Sequence, residues 1–254
     1  MDATLVSILL PAMAAGIVVL ATHVPMGQEV LRRGIIFIDL AVAQIAALGV
    51  LVAALAEWQS PWIVQAIAIT MALLGASLLS WTGRRWPDEQ EAIIGISFVL
   101  AASASILLLA NNPHGGEHLK ELLAGQILWV EWPAILVTAM LYALLLAVWF
   151  GARSRLGDTG FYLLFAVNVT LSVQLVGVYL VFASLIVPAL ATVSTSSRHR
   201  LYHGYILGVI SYAAGLLLSW RLDLPSGAVI TWMLALLALF YRVLWSKTIT
   251  RARE

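Results

Sequence analysis

The sequence predicts an all-α, polytopic transmembrane helical bundle of about eight to nine membrane passes, and three observations carry that prediction. Of 254 residues, 62% are apolar and only 11% are charged, against about 45–50% and about 25% in soluble domains. Apolar runs long enough to cross about 30 Å of hydrocarbon recur along the whole chain. The longest polar stretch, residues 111–126, has only 16 residues, too few to build a soluble domain. The same composition excludes a disordered chain, and the absence of cysteine excludes a disulfide scaffold and cysteine-ligated zinc or iron–sulfur chemistry.

The first apolar run, 5–22, follows Asp2 where a secretory signal would carry a basic region, so it is expected to stay as a helix. Runs at 35–56, 62–81, 91–110 and 127–150 are each about one span long. The next is different: from Phe161 to Val193 there are 33 residues with no charge, too many for one ordinary span and few for two. Gly177 at its middle and Pro188 near its end predict a hairpin of two short segments, which requires neighbouring helices rather than lipid around it. Two ordinary runs follow, at 204–220 and 226–245. No repeat, low-complexity tract or linker divides the chain, so residues 1–254 read as a single transmembrane domain. Ala41, Ala43, Ala46, Ala47 and Gly49 suit close helix packing in lipid.

The net charge of +1 gains meaning once the charges are placed. With the uncharged segment crossing twice and the N-terminus outside, Arg32, Arg33, Arg84, Arg85, Arg153, Arg155, Arg198, Arg200, Arg242, Lys247, Arg251 and Arg253 all fall inside. That is 12 of the 14 basic residues, leaving Lys120 and Arg221 outside. With one crossing the split is 7 to 7. The positive-inside rule therefore predicts nine hydrophobic passes.

An ionisable group in a membrane helix costs about 2.5–3.5 kcal/mol on insertion scales. Asp39 therefore needs a reason, either as a cation ligand on a polar pathway or as a partner of Arg32 or Arg33. Gln44 lies about 140° around an ideal helix from it, so the two do not share a face without distortion. His114, Glu117 and His118 form a His-x-x-Glu-His string that some metallopeptidases place on a helix. Gly115 and Gly116 disfavour that helix, leaving a solvated outer turn or a transient divalent-ion site. His23, His199 and His203 are expected at the inner surface. Asn168, Ser172 and Gln174, with Thr170, put polar groups into the uncharged segment, where they either bond between helices or line a pathway. No P-loop, nucleophile elbow or dinucleotide fingerprint occurs, so ATP-driven transport would need a separate subunit.

Four stretches in order along the chain resemble the permease subunits of the ABC-3 family, membrane partners of zinc, manganese and iron ATP-binding-cassette importers. They are Leu31-Arg32-Arg33-Gly34-Ile35-Ile36-Phe37-Ile38-Asp39 running on to Ala46-Ala47-Leu48-Gly49; Asp88-Glu89-Gln90-Glu91-Ala92-Ile93-Ile94-Gly95-Ile96; Gly177-Val178-Tyr179-Leu180-Val181-Phe182-Ala183-Ser184-Leu185-Ile186-Val187-Pro188-Ala189; and Leu222-Asp223-Leu224-Pro225-Ser226-Gly227-Ala228. The resemblance implies a type II-importer-like permease in a prokaryotic cytoplasmic membrane. It also implies a homodimer with the pathway between the copies, cytoplasmic ATPase subunits, an extracytoplasmic metal-binding protein and a divalent metal ion, zinc or manganese, as cargo. Lipid surrounds it, and no nucleic acid is expected as a partner. The implied ATPase contact falls on Arg153, Ser154, Arg155, Leu156 and Gly157, in a segment that the charge count independently places inside.

The sequence departs from the family pattern at the expected metal pair. Many members carry Asp and His four residues apart on the second helix, on one face, whereas here Ala43 is four residues after Asp39. Anchored at Gly49, the His position holds Gln44, and Leu48 replaces a usual Pro. Asp39 with neutral oxygen ligands such as Gln44 suits a hard or borderline divalent cation, while a zinc-selective site would keep His. Three alternatives remain open at this point. One is a permease for metal chelates or cobalamin-like cofactors. Another is an intramembrane metallopeptidase using His114, Glu117 and His118. A proton-coupled carrier is the third, and it would need more membrane acids than Asp39.

Overall fold

Each apolar run becomes a helix, and local chemistry decides where it stops. The computed structural model describes residues 3–58, 60–109, 125 and 127–251, with side chains described for 7–58, 60–109, 125, 127–152, 156–196 and 199–243. Helix α1 (Ala3–Arg33) runs well past the expected end at residue 22. Glu29, which looks like a stop, is paired one turn on: Arg32 Nε donates to it at 3.0 Å and Arg33 Nε at 2.7 Å. His23 consequently lies in the buried interior rather than at the inner surface, with Nδ1 2.9 Å from the Val19 carbonyl oxygen.

Four residues after α1 the chain enters α2 (Ile38–Leu55), followed by α3 (Pro61–Arg85) and α4 (Gln90–Leu109). Helix α3 opens on Pro61, where the missing N–H has no intrahelical acceptor anyway. A single 3-10 turn, Ile127–Trp129, precedes α5 (Trp132–Val176). This 45-residue run consists of two legs, Trp132–Ala152 and Leu156–Val176, folded at Gly157 (φ 56°, ψ −165°). Only glycine adopts that backbone region without steric cost. The segment 151–158, expected as a loop, thus keeps helical backbone except at this one residue.

Gly177 (φ 82°, ψ 162°) then divides the uncharged segment where the sequence suggested, and α6 (Val178–Ala191) begins beyond it. Helices α7 (Ser197–Leu222) and α8 (Ser226–Arg251) complete the fold, joined by a turn in which Asp223 takes a left-handed conformation (φ 52°, ψ 47°). Among the described residues, eight helical segments are long and apolar enough to cross a membrane, and α6 is a ninth, shorter apolar helix. The protein is a multi-pass, all-helical membrane protein.

Helix α6 occupies the middle of the bundle, packed against α1, α2, α5, α7 and α8. The second leg of α5 is 67% buried over its span, the first leg only 28%. Leu74 on α3, Leu107 on α4 and Leu239 on α8 are among the large apolar residues left exposed, as expected of an outer layer facing hydrocarbon.

Side-chain contacts fix which helix ends lie together. Arg33 Nη1 donates to Asp158 Oδ1, and Arg84 Nη1 donates to Thr159 Oγ1 at 2.8 Å. Arg32 shares a cleft with Trp149, Ala189 and Arg200, and Arg242 Nη2 donates to Ser194 Oγ at 3.4 Å. Gly125, by contrast, packs on the backbone of Val176 and Gly177 at the opposite end. Both ends of the uncharged segment therefore sit at the basic end of the bundle, so the segment travels out and returns. Such an out-and-back path is the geometry that a double crossing needs, with the 14-residue α6 as its shorter limb.

Candidate functional site

A cleft of about 560 Å³ opens between α2, α4, α6 and α8. Helical spacing builds its walls: Leu40 and Gln44 on α2, Phe98, Ala102 and Ile106 on α4, and Ala228, Thr231, Trp232 and Ala235 on α8 recur at three or four residues. Helix α6 supplies Val178, Tyr179, Phe182, Ala183 and Val187. Among the described residues, no side chain lining this cleft carries a charge at neutral pH. Its polar groups are the Gln44 carboxamide, the Trp232 indole N–H and the hydroxyls of Tyr179 and Thr231, and Thr231 already donates to the Gly227 carbonyl at 2.8 Å. Gln44 is buried and its Oε1 has no hydrogen-bond partner among the described residues. Towards the basic end, Phe182 stacks on Phe37, just before α2, with ring centroids 6.2 Å apart and planes 7° apart.

Asp39 stands in the first turn of α2, where the N-terminal end of the helix favours an anion. It is only 1% exposed, and neither carboxylate oxygen has a hydrogen-bond partner among the described residues. The sequence left open a pairing with Arg32 or Arg33, but both guanidiniums are held by Glu29, and Arg33 also by Asp158. Asp39 does not line the cleft, whereas Gln44 does. The 140° offset on an undistorted helix thus holds: one residue points into the bundle, the other into the opening.

The remaining sequence-derived candidates lie elsewhere. Asn168 and Ser172 are fully buried between the legs of α5. The Tyr142 and Ser172 hydroxyls lie 2.9 and 2.8 Å from the Asn168 carbonyl oxygen and within hydrogen-bond distance of each other, so their two protons are shared among these three contacts. The Asn168 carboxamide itself has no partner among the described residues. Gln174 is exposed on the protomer surface, and none of the three lines the cleft. His114, Glu117 and His118 lie outside the described residues. Among the described residues no three His, Cys, Asp or Glu side chains form a cluster able to hold a metal.

Around the inner elbow, the side chains of Arg153, Ser154 and Arg155 are outside the description, Leu156 packs partly against the core, and Gly157 makes the fold. Ser80 Oγ donates to Thr159 Oγ1 at 3.1 Å beside the Arg84 contact, so the elbow is fastened to the ends of α1 and α3. Sequence reasoning did not find the cleft walls on α4, α6 and α8. Their only signal was the helical recurrence of apolar residues, and lipid-facing stripes carry the same signal.

Comparison with known proteins now has a geometry to meet. A chain in the solved structure of PsaBC from Streptococcus pneumoniae in complex with Fab is similar in fold, with 19% identity, 95% of each chain covered and a TM-score of 0.75. No curated protein matches. The model of the ABC 3 transport family matches residues 6–157 and 150–244, nearly the whole chain. This multi-pass bundle, a permease with no catalytic role of its own, belongs to the ABC 3 transport family.

Proposed function

We propose that residues 1–254 form one permease domain of an ATP-binding-cassette importer for a divalent metal ion, zinc or manganese, in a prokaryotic cytoplasmic membrane. The observation that carries this reading is the cleft on α2, α4, α6 and α8: it is open along one side, so a second copy of the chain would supply its other wall. Membership of a transport family agrees with a conduit rather than a peptidase. Cytoplasmic ATPase subunits dock at the basic end, on the elbow Arg153, Ser154, Arg155, Leu156 and Gly157. An extracytoplasmic binding protein delivers the ion at the other end.

An ion in the cleft meets the free Gln44 Oε1 first. Asp39 lies about 7.5 Å further along α2 towards the basic end, at 1.5 Å per residue, its side chain turned from the cleft into the bundle. Its unpartnered carboxylate, costly in a membrane, is the natural counter-charge for a cation in transit. A hard or borderline ion accepts such oxygen donors. Selectivity then rests mainly with the binding protein.

The mostly apolar walls support a second reading, a metal chelate or cobalamin-like cofactor as cargo. Both are tested by reconstituting this chain with its ATPase and binding protein in vesicles and following labelled zinc and manganese. The expected result is ATP-dependent accumulation of one of the two ions. An assembled complex that hydrolyses ATP and accumulates neither would favour the chelate.

A further inference from the structure

At the basic end a second cleft, about 340 Å³, opens between α1, the first leg of α5, α6 and the start of α7. It is more polar than the cleft of α2, α4, α6 and α8: Gln28, Glu29, Arg32 and Arg200 line it, with Phe150 and Val193 at its side. The charges do not cancel. The guanidiniums of Arg32 and Arg33 are taken by Glu29 and Asp158, while Arg200 faces no carboxylate within salt-bridge distance among the described residues.

Arg200 is nonetheless held in place, because its Nη2 donates to the carbonyls of Val193 at 2.8 Å and Thr195 at 3.3 Å. Its Nε is buried without a hydrogen-bond partner, and so is Gln28 Nε2 in the same cleft. Two fixed, desolvated N–H groups beside an uncompensated positive charge call for an anionic oxygen acceptor. A planar guanidinium suits phosphate best. Beside this polar floor, Phe150 is 58% exposed and Val193 44% exposed, an apolar shoulder on which an acyl chain can lie.

We propose that this cleft binds the phosphate of an anionic phospholipid in the leaflet at the basic end. Basic pockets between helices on that face of membrane proteins are suited to such headgroups. A free phosphate would satisfy the same N–H groups but has no use for the apolar shoulder.

The test is native mass spectrometry of the delipidated full chain, titrated separately with dioleoylphosphatidylglycerol, dioleoylphosphatidylcholine and inorganic phosphate. Phosphatidylglycerol is expected to bind more tightly than phosphatidylcholine and more tightly than inorganic phosphate. Arg200→Ala should weaken phosphatidylglycerol about fivefold, the equivalent of one interfacial charge, and Gln28→Ala should weaken it further. Arg200→Lys, which keeps the charge without the fork, should recover only part of the loss and serves if the alanine variant does not fold. Arg221→Ala, at the opposite end, should change nothing. Equal binding of the two lipids, or unchanged phosphatidylglycerol affinity in the Arg200 variants, overturns the site. Inorganic phosphate binding as tightly as phosphatidylglycerol overturns its assignment to lipid.

Discussion

The basic end of α1 and the first half of α2 lie only a turn or two apart, yet they treat charge in opposite ways. At the end of α1, Glu29 is buried but satisfied by Arg32 and Arg33, and Arg33 reaches on to Asp158 at the elbow of α5. On α2, Asp39 and Gln44 are as deeply buried and carry oxygens with no hydrogen-bond partner among the described residues. Paired charges of the first kind hold helices in register. Unpaired oxygens of the second kind weaken the bundle, and under the proposed function a cation in transit is what visits them.

The sharpest way to break this contrast is to unpair the first region. Arg33→Ala takes a guanidinium from buried Glu29 and removes one of the contacts that fasten the elbow, and it should destabilise the protein by about 3 kcal/mol. Arg32→Ala, at a side chain 66% exposed, should cost much less. Thermal unfolding of the purified variants measures both, and equal shifts would mean that the elbow contact contributes nothing.

A smaller effect, opposite in kind, is expected at the second region. Asp39→Asn keeps the size of a side chain whose oxygens have no hydrogen-bond partner among the described residues, so stability should stay within about 1 kcal/mol of the parent, the size of a helix-terminus attraction. Uptake in the reconstituted system should nevertheless fall by about tenfold or more, as for a lost metal ligand. A variant that melts earlier but transports normally would return Asp39 to a structural role.

The smallest change is predicted for Tyr142→Phe. Ser172 still donates to the Asn168 carbonyl after the tyrosine hydroxyl is gone, so the loss should be about 0.6 kcal/mol, an ordinary interhelical bond in a membrane. Uptake should be unchanged. A large loss of uptake would move this buried cluster from the satisfied class into the functional one.

The same contrast explains what was legible in the sequence. Hydropathy is a property of runs, so the number of helices and the break at Gly177 could be read directly. The true length of α1 could not, because Glu29 looks like an end until Arg32 and Arg33 are recognised as its neighbours at three and four residues. Asp39 stood out because a carboxylate in an apolar run is expensive wherever it points. The cleft did not stand out: Phe182 and Trp232 are as apolar as residues that face lipid, and only the packing of α2, α4, α6 and α8 tells the two surroundings apart. The elbow was located by its arginines, but its helical backbone depends on one glycine conformation that no periodicity reports.

Helix α6 has an electrical consequence. Its 14 residues span about 21 Å, against about 30 Å for the hydrocarbon. Where water follows the cleft to both ends of α6, the whole membrane potential falls across the shorter path, and the field there is steeper by about two-fifths. Each elementary charge crossing it exchanges about 2.3 kcal/mol per 100 mV. For the divalent cation of the proposed function, moving towards a negative interior, the thinnest part of the bundle would also be the place where voltage pulls hardest.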